Sequence, residues 1–173
     1  ASYITQEYRY YADKDAGDFD FGKSQKALLD YSLAYKLSTI WSFKYLMLIE
    51  STHGETNKIE SKVRNAFSYG GIVTFKPSSK LISTLGVRKE YNSDFEVPLS
   101  VSLSGEQKLG GCIWLKANVS ANYRVPTYNE MYWPIVGNKD LIPEHSKQGE
   151  LGVELEKYGF KLNATFFYIK IKD

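Results

Sequence analysis

The sequence has little sulfur chemistry to offer. Its 173 residues contain one cysteine, Cys112, which excludes an internal disulfide framework and any multi-cysteine zinc site. A lone cysteine in a predicted strand reads as a small apolar residue. Histidine is nearly as scarce. His53 and His145 each stand alone in a predicted loop, without ligand spacing to a second imidazole or thiolate, and both read as solvated. Charge of one sign is missing too: 22 basic and 20 acidic residues leave a net +2, and the basic ones are dispersed. No nucleic-acid footprint is expected, since that needs Lys and Arg clustered on one face. Long apolar runs are also absent. The longest candidate, Tyr45-Leu46-Met47-Leu48-Ile49, falls far short of the ~20 residues a membrane helix requires. This excludes a helical span only, because a barrel strand needs about 9–11 residues with one apolar face.

Aromatic residues, by contrast, are plentiful. They make up 15% of the chain, with 14 Tyr among them. They fall within a period-two alternation, the mark of a strand with one apolar face. Ser2 to Ala12 forms a Tyr-rich strand. Ala27, Leu29, Tyr31, Leu33 and Tyr35 share a face, with Leu28 and Ala34 as exceptions on the other. The phase resumes in Trp41, Phe43, Tyr45, Met47 and Ile49, blurred by Leu46 and Leu48, so a reversal is expected near Leu37-Ser38-Thr39. Later strands carry Val63, Phe67, Tyr69, Val73 and Phe75, then Leu81, Leu85 and Val87, then Leu99, Val101 and Leu103. Gly70-Gly71 suggests a bulge or bend. The clearest alternation is Ile113, Leu115, Ala117, Val119, Ala121 and Tyr123 against Lys116, Asn118, Ser120, Asn122 and Arg124. Leu151, Val153 and Leu155 define the eighth strand. In the ninth, the phase slips from Leu162, Ala164 and Phe166 to Phe167, Ile169 and Ile171, as a bulge would produce.

About nine strands result, with an asymmetric set of connections. Long polar loops (around 13–24, 51–61, 92–98 and 125–146) alternate with tight turns (around 37–39, 77–80, 108–111 and 157–159). A soluble sandwich has no reason to gather every long loop at one end, whereas an outer-membrane barrel has short periplasmic turns and long outer loops. Tyr3, Trp41, Tyr91, Tyr123 and Tyr158 lie near strand ends, where interfacial girdles sit. The other reading is a self-contained soluble β-sandwich or lipocalin-like ligand-binding module, whose apolar faces would meet in a dry core.

The fourth loop is the most distinctive stretch. Tyr123-Arg124-Val125-Pro126-Thr127, Glu130-Met131-Tyr132, Gly137-Asn138-Lys139-Asp140-Leu141, Pro143-Glu144-His145-Ser146 and Glu150-Leu151-Gly152 resemble, in order and spacing, the barrel signature of TonB-dependent outer-membrane receptors. The resemblance implies an all-β fold: an antiparallel transmembrane β-barrel segment, about nine strands of a larger, 22-stranded barrel. Residues 1–173 would be part of that barrel domain. Neither end reads as a natural terminus, so the plug domain and remaining strands are expected outside this stretch. The implied location is the bacterial outer membrane. The implied partners are the lipid bilayer, the receptor's own plug and the TonB energy-transducing complex. The implied solute is an iron–siderophore complex or cobalamin, with no covalent chemistry and no cofactor.

Candidate site residues divide by location. Tyr128, Tyr132 and Trp133 offer large rigid contact area on the outer loop, and Arg124 stands at its neck. These four are candidates for ligand contact, or for folding the loop on itself. Arg64, Arg88, Glu90 and Glu150 lie on the polar face, facing the lumen or a plug; Arg64, Arg88 and Arg124 would contact a plug or an anionic ligand there, or be solvated or paired with Glu90 and Glu150. Asp13, Asp15, Asp18 and Asp20 raise the question of a calcium site, but without EF-hand spacing. Glu130, Asp140 and Glu144 raise the same question in the signature loop, against a reading as loop-orienting groups bonding backbone amides, with Asn138 and Asp140 making local turns. Glu144-His145-Ser146 holds triad residue types, but adjacent residues cannot build triad geometry.

Overall fold

The computed structural model describes residues 1–11 and 17–172. Within these residues nine strands form one antiparallel sheet in which each strand pairs with the next along the chain: β1 (Ser2–Tyr10), β2 (Asp20–Lys36), β3 (Trp41–Thr56), β4 (Lys62–Ser78), β5 (Leu81–Asn92), β6 (Ser100–Gly110), β7 (Ile113–Arg124), β8 (Glu144–Lys157) and β9 (Phe160–Lys172). Among the described residues a single five-residue helix, α1 (Tyr128–Tyr132), interrupts the fourth loop. No described helix is long and apolar enough to cross a membrane.

The alternation fixes two faces. Leu29, Tyr31, Leu33, Ile49, Leu85, Leu103, Val119, Leu151 and Val153 project from one face and are all exposed. Register keeps them together: Leu29 lies opposite Ile49, Leu85 opposite Leu103, and Leu103 opposite Val119. The other face carries Ser68, Ser100 and Glu154, which are buried. Among the described residues the buried hydrophobics are Ile59, Val97 and Met131, and none belongs to a strand. Among the described residues there is no second sheet for the apolar face to meet, so the sandwich reading fails. Such a surface is stable when hydrocarbon covers it.

Aromatic pairs sit near both edges of the apolar band. Trp41 and Phe75 lie 4.5 Å apart at the turn end, and Tyr91 stacks beside Phe67 and Tyr69 at the loop end. Along β4, eight residues separate Phe67 from Phe75, about 27 Å at ~3.4 Å per residue. A band some 25 Å tall flanked by aromatic girdles has this form.

Several boundaries differ from the sequence expectation. The stretch from Ser51 to Thr56 is strand, paired as far as Thr56 opposite Gly22. Its polarity reflects the end of the apolar surroundings, while the backbone ladder continues. Only residues 57–61 form that loop. Gly70-Gly71 makes no bulge, since pairing with β5 runs unbroken through both and shifts only between Phe75 and Ser78. Gly70 is there for close approach: a Cβ would lie 2.4 Å from the Val87 carbonyl oxygen. β9 also keeps its register throughout. Phe167, Ile169 and Ile171 therefore stay on the polar face, opposite Glu150, Gln148 and Ser146, and the phase slip is only one of composition. Cys112 sits in the β6–β7 turn.

The turn end is tightly built. Ser38 Oγ accepts from the Ile40 and Trp41 amides at 3.1 Å, which closes the first reversal. Tyr158 and Gly159 both have positive φ, +52° and +80°. Together they make the two-residue connection between Lys157 and Phe160 that matches strand twist.

Candidate functional site

The site lies at the loop end, where α1 folds back over the polar face. Local sequence starts the helix. Thr127 is its N-cap, and Glu130 completes a capping box. The Glu130 amide donates to Thr127 Oγ1 at 3.3 Å, and the Thr127 amide donates to Glu130 Oε2 at 2.7 Å. Two of the orphan amides at the helix start are thereby satisfied. The helix stops within five residues, and the Asn138 amide returns to the Glu130 carbonyl at 2.9 Å. Asn138 Oδ1 then accepts from the Asp140 amide, a local turn of the kind the sequence suggests.

Arg124 closes the neck of this loop. It stands opposite Glu144 in the β7–β8 register. Its Nε donates to Glu144 Oε2 at 3.0 Å, with a second bond from Nη2 to the other oxygen. Nη1 donates to Glu130 at 3.0 Å. One guanidinium thus joins the last residue of β7, the helix and the first residue of β8. Planar bidentate geometry of this sort is specific to arginine. The bonds from Thr127, with the Arg124 contact adding to them, hold the Glu130 carboxyl below the usual carboxylate range.

Arg64 holds the loop down. It projects from β4 with its side chain 13% exposed. Nε donates to Asp94 Oδ2 at 2.8 Å, and Nη1 donates to the Pro126 carbonyl at 2.8 Å. Its guanidinium carbon lies 4.8 Å from the Tyr128 ring centroid and 5.0 Å from that of Phe95. Asp94 is itself oriented by its own amide bonding to Asn92 Oδ1 and by the Ser93 hydroxyl. Arg64 therefore gathers β4, the β5–β6 loop and the signature loop at one point.

Tyr128 reaches across to β3. Its hydroxyl donates to the Thr52 carbonyl at 3.3 Å. Its ring covers Gly54, where a Cβ would lie 2.8 Å from the ring edge. Burial pushes the Tyr128 hydroxyl up to about 12, although neighbouring Arg64 pulls the other way. Tyr132 and Trp133 are half-buried beside cations: Lys62 lies 5.1 Å from the Tyr132 ring and Lys58 5.4 Å from that of Trp133.

The candidate residues thus separate into clusters. Arg124 joins Glu130 and Glu144; Arg64 joins Tyr128; Tyr128 and Tyr132 rings lie 6.4 Å apart. Arg64 and Arg124 pair with Asp94, Glu130 and Glu144, and not with Glu90 or Glu150. Arg88 lies 5.9 Å from the Tyr123 ring, whose hydroxyl is buried, so Tyr123 turns away from the girdle. Glu90, Arg64, Tyr123 and Tyr128 line one cavity of about 510 Å³ beneath the loop. Glu150 belongs to a separate, smaller cavity lined by Lys116, Asn118 and Thr165.

Asp94, Phe95 and the Pro126 carbonyl carry no sequence signal as partners of Arg64. Asp13 and Asp15 lie outside the described residues. Asp20 is engaged by Lys58 at 2.6 Å. Among the described residues, no three His, Cys, Asp or Glu side chains are grouped to hold a metal ion.

Comparison with known proteins gives a consistent picture. Residues 2–173 match the family model "TonB dependent receptor-like, beta-barrel". The vitamin B12 transporter BtuB of Vibrio vulnificus is 43% identical over 57 residues, 33% of this chain and 9% of the transporter. BtuB of Photobacterium profundum is 31% identical over 62 residues, again 9% of its length. Among solved structures, the siderophore receptor PirA of Pseudomonas aeruginosa superimposes with a TM-score of 0.80 at 19% identity. The match covers 88% of this chain and 33% of that one. The chain spans a small part of the curated relatives it matches, and about a third of that receptor.

Proposed function

The chain belongs to the TonB-dependent receptor β-barrel family, and on that premise we propose that it is a section of an outer-membrane receptor importing a scarce, large solute. The solute is an iron–siderophore complex or cobalamin. The observation carrying this reading is the two-sided wall: one face exposes apolar and aromatic side chains, and the signature loop folds over the polar face beyond it. In this reading the polar face borders an aqueous lumen, the apolar face meets lipid, and the loop caps the outer mouth.

In this reading Tyr132, Trp133, Tyr128 and Arg124 form the contact rim for the solute. Lys58, Lys62 and Lys139 beside the aromatic rings favour an anionic, ring-bearing cargo. Arg64, Arg88, Glu90 and Glu150 face the lumen, and the plug domain packs against that wall. A periplasmic TonB complex remodels the plug to admit the solute. The remaining strands close a barrel of 22, since lipid tolerates no open sheet edge. The wall performs no covalent chemistry.

The test is uptake by the full-length receptor. A strain lacking it, grown under iron limitation or on cobalamin-dependent medium, should lose accumulation of one labelled solute and keep the other. Loss of neither, or a receptor that leaves the outer membrane without detergent, would sink the reading.

A further inference from the structure

The polar face holds a recess in the middle of the wall, below the contacts that fasten the signature loop. Register sets Leu46, Gly70, Arg88 and Ser100 in one row from β3 to β6, and Lys44, Ile72, Gly86 and Ser102 in the next. No side chain fills the wall at Gly70 or Gly86, and the recess measures about 510 Å³, within the range of small-ligand sites. The Val87 carbonyl accounts for Gly70, but nothing in the backbone demands glycine at position 86. Its φ is not positive, and pairing runs unbroken through it on both sides. The nearest atom to an added Cβ is Ser102 Oγ at 2.8 Å, a hydroxyl that can rotate away. A strand glycine without a bulge or bend marks a place where another molecule comes close.

Ser100 gives a second, independent indication. It is 8% exposed, and its Oγ is buried without a hydrogen-bond partner among the described residues. Such a hydroxyl costs stability while it stays unpaired, and this one lines the recess. Charge is unbalanced there too. The described residues lining the recess include two cations, Arg88 and Lys44, against one carboxylate, Asp30. Neither cation belongs to a salt bridge among the described residues. Leu48 and Ser68 line both this recess and the cavity beneath the signature loop, so the two are continuous down the wall.

We propose that the recess is a second, deeper station for the solute, and that the solute it takes is an anionic, oxygen-rich iron complex. The negative oxygens face Arg88 and Lys44 and accept from the Ser100 hydroxyl, while the organic body lies over Gly86 and against Leu46. This assignment rests on the uptake reading above and narrows it, since cobalamin, which is not an anion, gains little from two unpaired cations. The plug packs against this wall in that reading, so the station fills once the plug has been remodelled.

The experiment follows a radiolabelled ferric tris-catecholate siderophore in cells expressing the full-length receptor, with surface binding measured in unenergised cells and uptake in energised ones. Arg88→Gln should leave surface binding unchanged and cut uptake at saturating solute about tenfold, the scale of one lost charge-assisted bond. Arg88→Lys should restore most of that uptake. Ser100→Ala separates a binding role from a structural one. It removes an unpaired buried hydroxyl, so the melting midpoint in detergent should stay at or above that of wild type, yet uptake should fall about threefold. Should the Arg88 variant not fold, Ser100→Ala decides alone. Unchanged uptake by the folded variants, or surface binding that falls as far as uptake, would overturn the assignment. Vancomycin entering unenergised Arg88→Gln cells would give Arg88 to a carboxylate of the plug and overturn it as well. A wild-type receptor that imports cobalamin and not the ferric complex would sink this assignment alone; one that imports neither would sink the uptake reading with it.

Discussion

Arg64 and Tyr128 come from strands and loops 64 positions apart in the chain, yet the guanidinium carbon lies 4.8 Å above the tyrosine ring. That stacking fastens the signature loop to the wall. It works together with the bond from Nη1 to the Pro126 carbonyl, so one side chain holds the loop at two points.

Replacing Arg64 by lysine keeps the charge and loses the fork. A loss of about 2 kcal/mol in local opening is expected, as for hydrogen bonds to a charged group. Amide hydrogen exchange in residues 126–133 should speed roughly thirtyfold while the β7 amides stay protected. Unchanged exchange would remove Arg64 from this role.

Acid should loosen the same loop. The Glu130 carboxyl titrates below its ordinary value because Thr127 and then Arg124 bond its charged form. A lowered folded value means the contribution is complete above the unfolded value of about 4.3 and is lost as pH falls through the folded one. Amide hydrogen exchange in residues 127–137, divided by the intrinsic chemical rate at each pH, should therefore rise on going from pH 6 to pH 3. Glu130→Gln should show the raised value across that range, and a variant as protected as wild type at pH 6 would contradict the assignment.

Gly70→Ala should damage the wall itself. The new Cβ would meet the Val87 carbonyl oxygen at 2.4 Å and Arg88 Cα at 3.0 Å, both backbone atoms. Overpacking of this kind costs about 1–3 kcal/mol, visible as a lower melting midpoint in detergent. Gly105→Ala, whose Cβ meets its nearest neighbour only at 3.8 Å, is the matched control and should melt like wild type.

Ile135→Gly should tighten the signature loop. Ile135 is a β-branched residue at φ +75° with its side chain fully exposed, so truncation relieves strain and loses no packing. A gain of about 1 kcal/mol would slow local exchange around residue 135 roughly fivefold.

The wall was legible in the sequence because period two is a local property. Ile113 through Tyr123 can be read without knowing any partner, and β7 spans those residues. The exceptions have physical causes. Ser51 to Thr56 reads as a loop because polarity marks where lipid ends and says nothing about the ladder. Gly70 reads as a bend because its neighbour Val87 is invisible in one dimension. Phe167, Ile169 and Ile171 look like a slipped phase, though they remain in register on the other face. The site divides the same way. Thr127 and Glu130 sit at capping-box spacing, and Glu144 is the residue that pairs with Arg124 across the hairpin. Arg64 reaches Asp94 and Pro126 over 30 and 62 positions, and no local pattern encodes that.

The placement of Ile59, Val97 and Met131 has a consequence for how the molecule responds to its host membrane. Among the described residues the greasy interior lies above the bilayer, in the crown, while the staves beneath depend on acyl chains for their solvent. Thinning the membrane or exchanging its lipids should shift the melting of the staves and leave the crown's own loosening temperature where it was.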